Sequence, residues 1–383
     1  MKLRGTAVTL SVCATMISGT AFADRKAHEF YFQENQQRFI LPAFDARMMG
    51  MGGSTMLTTR NSLATSTNPG GLGLMKYGDM SATYSYNEIT GNQYPSGQKV
   101  KDKQSIGQVF GATPINPTLD DLPQSGNLGL GWMGRDGSWT YDPDNTDAST
   151  YQIVGGYGKS IGHRTALGYG LSYQHDNVDS DTHNYDSSES FLHTVGLQHL
   201  YDDELTFGGT VFVGHGKHKL EHLADVRQNQ DVSQLSAGAG VGMEYTVGTT
   251  AAAVGADYTF ARNNGTDDPA ANDLNSVWGG DSIGRWMNLR AGIEEQVFDW
   301  LAVRLGYRYA ANFNWDYSRA DLADLTGSAK YSAYGGGAGV HYVFDKDDFI
   351  RALYLDYAVE YRDVGRGDWQ HMLSLSAPFD LCV

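Results

Sequence analysis

The chain has 383 residues, 28 of them basic and 44 acidic, for a formal net charge of −16. So acidic a balance argues against nucleic acid as a partner and against simple binding to anionic surfaces. Only nine prolines, against 47 glycines and 23 tyrosines, disfavour a disordered chain, and the length suits one large domain or two ordinary ones.

Residues 1–23 read as an export leader. Lys2 and Arg4 form a basic start, Thr6 to Thr20 is mostly apolar or small, and Ala21-Phe22-Ala23 matches the small-x-small cleavage pattern ahead of Asp24. Val12, just before Cys13, is bulkier than a lipoprotein cleavage site prefers. Cleavage would remove two basic residues, move the net charge to −18 and leave Cys382 as the one mature cysteine. No internal disulfide framework is then expected. No later apolar run reaches the roughly 18 residues that a spanning helix needs, whereas a barrel strand needs only about 9–11 residues of alternating polarity.

Residues 24–78 precede the first strand and carry the stretch GMGGSTMLTTRNSLATSTNPGGLG at 50–73. Its glycines, Gly50, Gly52, Gly53, Gly70 and Gly71 among them, let backbone pack closely and take positive φ. Pro69 drives Asn68 out of the helical region, and the Asn68 side chain can bond neighbouring backbone groups. A phosphate or dinucleotide loop is excluded by the missing G-x-G-x-x-G, the missing Lys-Ser/Thr and the missing βαβ context. Upstream, Phe30, Phe32, Phe39, Ile40 and Leu41 are candidates either to line a ligand site or simply to fill space.

From residue 79 the hydropathy period is 2, and strands are predicted at 79–90, 104–113, 126–134, 149–160, 165–178, 187–201 and 204–217, then at 231–245, 249–261, 284–297, 300–313, 328–345, 350–363 and 367–379. From the fourth strand the connections alternate short and long. Short ones are 161–164, 202–203, 246–248, 298–299 and 346–349; long ones are 179–186, 218–230, 262–283 and 314–327. Soluble sandwiches show no such alternation and use strands of about five or six residues, whereas outer-membrane barrels pair short periplasmic turns with long outer loops. Two connections break the series: 364–366 is short and 114–125 is long. The expected fold is therefore all-β, a fourteen-stranded antiparallel outer-membrane barrel over 79–383, with both termini on the periplasmic side.

Three strands predict which face looks inward. Leu301, Val303, Leu305, Tyr307 and Tyr309 oppose Arg304 and Arg308; Leu353, Leu355, Tyr357, Val359 and Tyr361 oppose Asp356, Glu360 and Arg362; Met287, Leu289, Ala291 and Ile293 oppose Asn288, Arg290 and Glu294. A charge facing lipid costs about 2–4 kcal/mol at the bilayer midplane, so the charged faces belong in the lumen.

The motif residues Ala46, Arg47, Gly50, Met51, Gly52 and Gly53, followed by Asn68, Pro69, Gly71 and Leu72, resemble the ARxxGMGGA and NPAGL signature of FadL-type outer-membrane transport proteins. Ser54 and Gly70 stand where that signature carries alanine, and Arg60-Asn61 lies where an acidic residue is often seen. The close match spans about 25 residues. The resemblance implies that 24–78 folds inside the barrel as a plug, and that the protein moves hydrophobic molecules such as long-chain fatty acids or aromatic hydrocarbons without an energy-coupling partner. Ligand would enter from outside, occupy an apolar lumen site, and leave past the plug or through the wall. Another branch of the superfamily acts in protein secretion as a surface shuttle, and the motif does not separate the two. A general polar pore is a third reading, lent weight by the lumen charges.

Other constellations carry less. His215, His218, Glu221 and His222 cluster near a predicted outer loop, with no zinc-site spacing. Asp142, Asp144, Asn145 and Asp147, and separately Asp267, Asp268 and Asp273, resemble calcium loops without the required glycine and glutamate. Such loops would bridge lipopolysaccharide through divalent ions or simply be solvated. There is no G-x-S-x-G, so an enzyme is not expected. No cofactor or metal is expected, and the partners expected are a hydrophobic ligand, outer-membrane lipid and lipopolysaccharide around a monomer.

Overall fold

The computed structural model describes residues 44–381, apart from 93–98, 116–124, 142–143, 181–183, 223–229, 265–281, 313–315, 318–329, 346–347 and 364–366. Fourteen long strands follow one another: β1 (Gly78–Asn92), β2 (Lys99–Pro114), β3 (Asn127–Tyr141), β4 (Asp144–Ser160), β5 (Thr165–Ser180), β6 (Asn184–Leu200), β7 (Leu205–His222), β8 (Gln230–Val247), β9 (Thr250–Asn264), β10 (Ser282–Phe298), β11 (Leu301–Asn312), β12 (Lys330–Val343), β13 (Ala352–Asp363) and β14 (Gly367–Phe379). Each pairs antiparallel with its sequence neighbour, and β14 pairs with β1 to close the ring. The pair Asp316–Tyr317 adds a short rung at the start of β10. Closure removes every free sheet edge, which a lipid environment demands.

Alternation along each strand decides the two faces. On β11, Leu305 is 66% exposed while Arg304 and Arg308 are each 7% exposed. On β13, Leu353, Leu355 and Tyr357 are exposed and Asp356, Glu360 and Arg362 are buried. On β3, Leu128, Leu130 and Trp132 face outward while Met133 and Arg135 are buried. A continuous apolar surface of this kind is an aggregation hazard in water and a matched surface in hydrocarbon. No helix among the described residues is long and apolar enough to cross a membrane. Aromatic pairs such as Phe298 with Trp300, stacked, and Tyr361 with Trp369, tilted, sit near opposite strand ends, as interfacial girdles do.

Several strands run further toward the long-loop side than hydropathy predicted. β4 begins at Asp144 and β7 continues to His222. Asp144, Asn145 and Asp147 therefore lie on a strand and not in a calcium-like loop, and His215, His218, Glu221 and His222 all lie on β7. The physical reason is that beyond the apolar belt both faces of a strand meet water. The polarity contrast disappears there while the hydrogen-bond ladder continues. The expected length contrast between loops and turns is smaller in consequence, with only 142–143 and 181–183 left between their strands.

Candidate functional site: the segment inside the barrel

Residues 44–77 are almost wholly buried and touch strands around the whole ring, which places them in the lumen. They form a short helix α1 (Ala46–Gly50), a second turn α2 (Ala64–Thr67) and a 3-10 helix (Pro69–Leu74). Asp45 caps α1, its carboxylate accepting from the Met48 N–H at 2.6 Å. The Ala46 N–H donates to the Ser374 hydroxyl at 2.6 Å, tying α1 to β14. Met48, Met56, Leu57 and Leu63 then pack with Phe110 and Val154 of the wall, and Phe44 joins them.

The second glycine cluster works through Asn68 and Pro69. Asn68 is extended, at φ −147 and ψ 93, and its carboxamide oxygen accepts from the Gly70 N–H at 3.1 Å. Its amide nitrogen donates to the Leu57 carbonyl at 2.7 Å and to the Leu197 carbonyl of β6 at 3.0 Å. Pro69 opens the 3-10 helix, where its missing N–H leaves nothing unpaired. In the first cluster Gly52 has φ 63, and a Cβ there would stand 2.6 Å from the Tyr307 backbone nitrogen. Gly53 also has positive φ, at 78. Gly50 lies against Arg304, and Gly71 against the Thr59 carbonyl.

Charges lock this segment to the wall. The Arg47 guanidinium donates to Glu244 of β8 at 2.9 Å and to Glu294 of β10 at 3.1 Å. Arg304 bridges Glu294 and Asp356, each at 2.5 Å. Arg308 and Arg362 both donate to Glu360, at 2.7 and 3.0 Å. Arg290 pairs with Asp257. The predicted lumen residues Arg290, Glu294, Arg304, Arg308, Asp356 and Glu360 thus all face inward, and five of them fall into two ionic chains. Burial pushes the Asp45 carboxyl up to about 6, against the lowering effect of the Met48 N–H. Burial opposes charge on Arg47 too, but Glu244 and Glu294 outweigh it and hold the guanidinium firmly protonated.

Glu244 and Asp257 were missed in the sequence, although alternation in 231–245 and 249–261 could have marked them as inward positions. So were Gln198, which donates to the Thr58 carbonyl at 2.5 Å, and Asn127, which donates to the Leu72 carbonyl at 2.6 Å. No sequence pattern distinguishes these amides from solvated ones. Phe30, Phe32, Phe39, Ile40 and Leu41 lie outside the described residues.

Cavities lie on both sides of the segment. Toward the long-loop end, one of about 60 Å³ has Phe44, Met49, Met133 and Met372 beside Gln104, Gln108 and the Arg308–Glu360–Arg362 group. Toward the short-turn end, a vestibule of about 690 Å³ is lined by Asp45, Arg47, Arg60, Asp79, Glu244 and Glu294 among others. Among the described residues no group of three or more metal-ligating side chains converges.

A closed, fourteen-stranded antiparallel barrel of the outer-membrane kind, with its own N-terminal region in the lumen, is the class defined by these features. Comparison with solved structures narrows the fold to that of the FadL-type transporters. A FadL homologue of Pseudomonas aeruginosa superposes with a TM-score of 0.60 at 14% identity, over 89% of this chain and 99% of that one. The monoaromatic hydrocarbon channel CymD gives 0.55 at 11% identity, over 89% and 98%. The toluene transporter TbuX of Ralstonia pickettii gives 0.55 at 12%, over 89% and 100%. No protein-family model and no curated protein matches the chain.

Proposed function

We propose that this chain is an outer-membrane channel for the passive uptake of hydrophobic small molecules, with 24–78 acting as the plug of the barrel, and that it is not an enzyme. The observation that carries this reading is the division of the lumen by residues 44–77 into a loop-side cavity with apolar residues on its surface and a wide polar vestibule on the turn side. A general polar pore needs a continuous water path, which a buried segment clamped at Arg47, Asn68 and Gly70 opposes. The solved proteins of the same fold include channels named for toluene and monoaromatic hydrocarbons, which supports aromatic hydrocarbons as the ligand class, with long-chain fatty acids the alternative that the sequence resemblance implies. The chain would act as a monomer in contact with outer-membrane lipid and lipopolysaccharide.

Among the described residues every strand-to-strand ladder is unbroken apart from one bulge between Gln296 and Phe298. The unbroken ladders favour an exit past the segment into the vestibule over one through the wall. Reconstitution tests the reading. The wild-type barrel should be silent in planar bilayers and should retain toluene or a long-chain fatty acid in lipid nanodiscs. Steady open conductance with no retained hydrophobic probe would sink it.

A further inference from the structure

The loop-side cavity and the turn-side vestibule come close to each other at the seam where β14 closes on β1. On the lumen face of β1, Thr83 and Ser85 border the cavity and Asp79 borders the vestibule, which leaves Ser81 between them. On β14, Gln370 and Met372 border the cavity and Ser376 and Pro378 the vestibule, which leaves Ser374 between them. Ser81 and Ser374 are both buried, and the register makes them diagonal neighbours, with Thr83 opposite Ser374 and Ser81 opposite Ser376.

β11 and β13 also border both spaces, but there the dividing position is sealed. Gly306 on β11 has the Gly52 backbone nitrogen against it, with no room for a Cβ. Ala358 on β13 is wholly buried and packs with Ala46 and Met49. On β5, β7 and β10 the backbone of the segment likewise rests directly on Gly168, Gly208 and Gly292.

At the seam, wall hydroxyls make the contact instead. The Ala46 N–H donates to the Ser374 hydroxyl at 2.6 Å, and Thr83 donates to the same oxygen at 3.2 Å. The Ser62 and Ser81 hydroxyls bond each other at 2.8 Å. Such neutral bonds are weaker than the charge-assisted ones that hold Arg47 to β8 and β10. Ala46 and Ser62 belong to different parts of the segment, the start of α1 and the turn before α2. Arg60 and Asn61, just before Ser62, border the vestibule, so that turn has open space to move into. Thr83 remains a partner for Ser374 when Ala46 moves away, so parting that bond does not strip the wall hydroxyl.

Resting on the uptake reading above, we propose that ligand passes from cavity to vestibule along the seam of β14 and β1, between Ala46 and Ser62. Ser81 and Ser374 form the gate. Their hydrogen bonds to the segment part as ligand goes through and reform behind it, while the ladder between the two strands stays whole.

The test is uptake of labelled toluene and labelled oleate by Gram-negative cells expressing the full chain, with cells lacking it as the background. Retention in nanodiscs reports the cavity separately, and heat-modifiable gel mobility reports folding. Ser62→Cys combined with Ser81→Cys places two thiols where the hydroxyls now touch. Oxidised, this pair should cut uptake at least about tenfold with retention unchanged, and dithiothreitol should restore it. Thr65→Cys combined with Gly156→Cys ties the segment to β4 instead, where a Cβ at 156 would stand 3.0 Å from Thr65 Cγ2. That lock should leave uptake within about twofold of the reduced form. Ser374→Ala removes one gate bond at little cost in volume and should raise uptake about two- to tenfold, which decides the matter if a cysteine pair fails to fold or to oxidise. Uptake untouched by the seam disulfide, equal loss from both disulfides, or uptake unchanged or lowered in Ser374→Ala overturns the gate and leaves the uptake reading standing. Uptake of neither probe by the wild type overturns that reading together with it.

Discussion

Gly70 stands where the resembled signature carries alanine, and the reason is contact. A methyl group there would lie 2.9 Å from Gln198 N, Gly196 O and Leu197 C, all backbone atoms of β6 that a closed ladder cannot move aside. Gly70→Ala is expected to destabilise the barrel by about 1–3 kcal/mol, read as a lower urea midpoint at unchanged slope. An unchanged midpoint would mean that the segment stands off the wall. Asp45 sets a pH dependence of the opposite sense to most carboxylates. Its pKa rises from 3.8 to about 6 in the fold, so between those values the native state binds more protons than the unfolded chain. Stability should therefore fall as pH rises from about 4 to about 6, by up to roughly 3 kcal/mol from this group. Asp45→Asn keeps a competent cap and removes the charge. Urea titrations at pH 4 and pH 7.5 should show the variant gaining on the wild type only at the higher pH.

At the scale of elements, α1 is held less by its own five residues than by what Arg47 reaches. Replacing Arg47 by methionine leaves Glu244 facing Glu294 with one cation fewer between them, which should cost about 1–3 kcal/mol. The functional expectation is sharper: brief conductance events in planar bilayers where the wild type is closed. Silence identical to wild type would assign the clamp to Asn68 and Gly70 instead. The strands show where sequence reading holds and where it stops. Inside the apolar belt, as in Leu301 to Tyr309, period 2 identified both the strand and its inward arginines. Beyond the belt, as at Asp144 to Asp147 and His218 to His222, it failed, because water on both faces erases the signal.

For the whole molecule, the outward face is matched to hydrocarbon and the inward face to its own ions. Leu305 is 66% exposed in that belt, next to Arg304, which is buried and doubly paired. Leu305→Arg should cost about 2–4 kcal/mol and lower the folded fraction on a heat-modifiable gel. The same change at an outward position beyond the belt, such as Asp136→Arg, should leave folding within about 0.5 kcal/mol of wild type. Equal losses at both sites would argue against a bilayer around this wall.

The order of the elements, the number of strands, the inward charges and the special backbone at Gly52, Asn68 and Pro69 were legible in the sequence. Each depends on near neighbours in the chain: alternation, a proline, a glycine run. Which acid meets which base was not. Arg47 and Glu294 are 247 positions apart, and only closure of the ring brings them together. The need for glycine at 70 likewise arises from register and from how closely the segment approaches the wall. A side chain's partners in a closed barrel are chosen by ring geometry, and that geometry exists only once β14 has found β1.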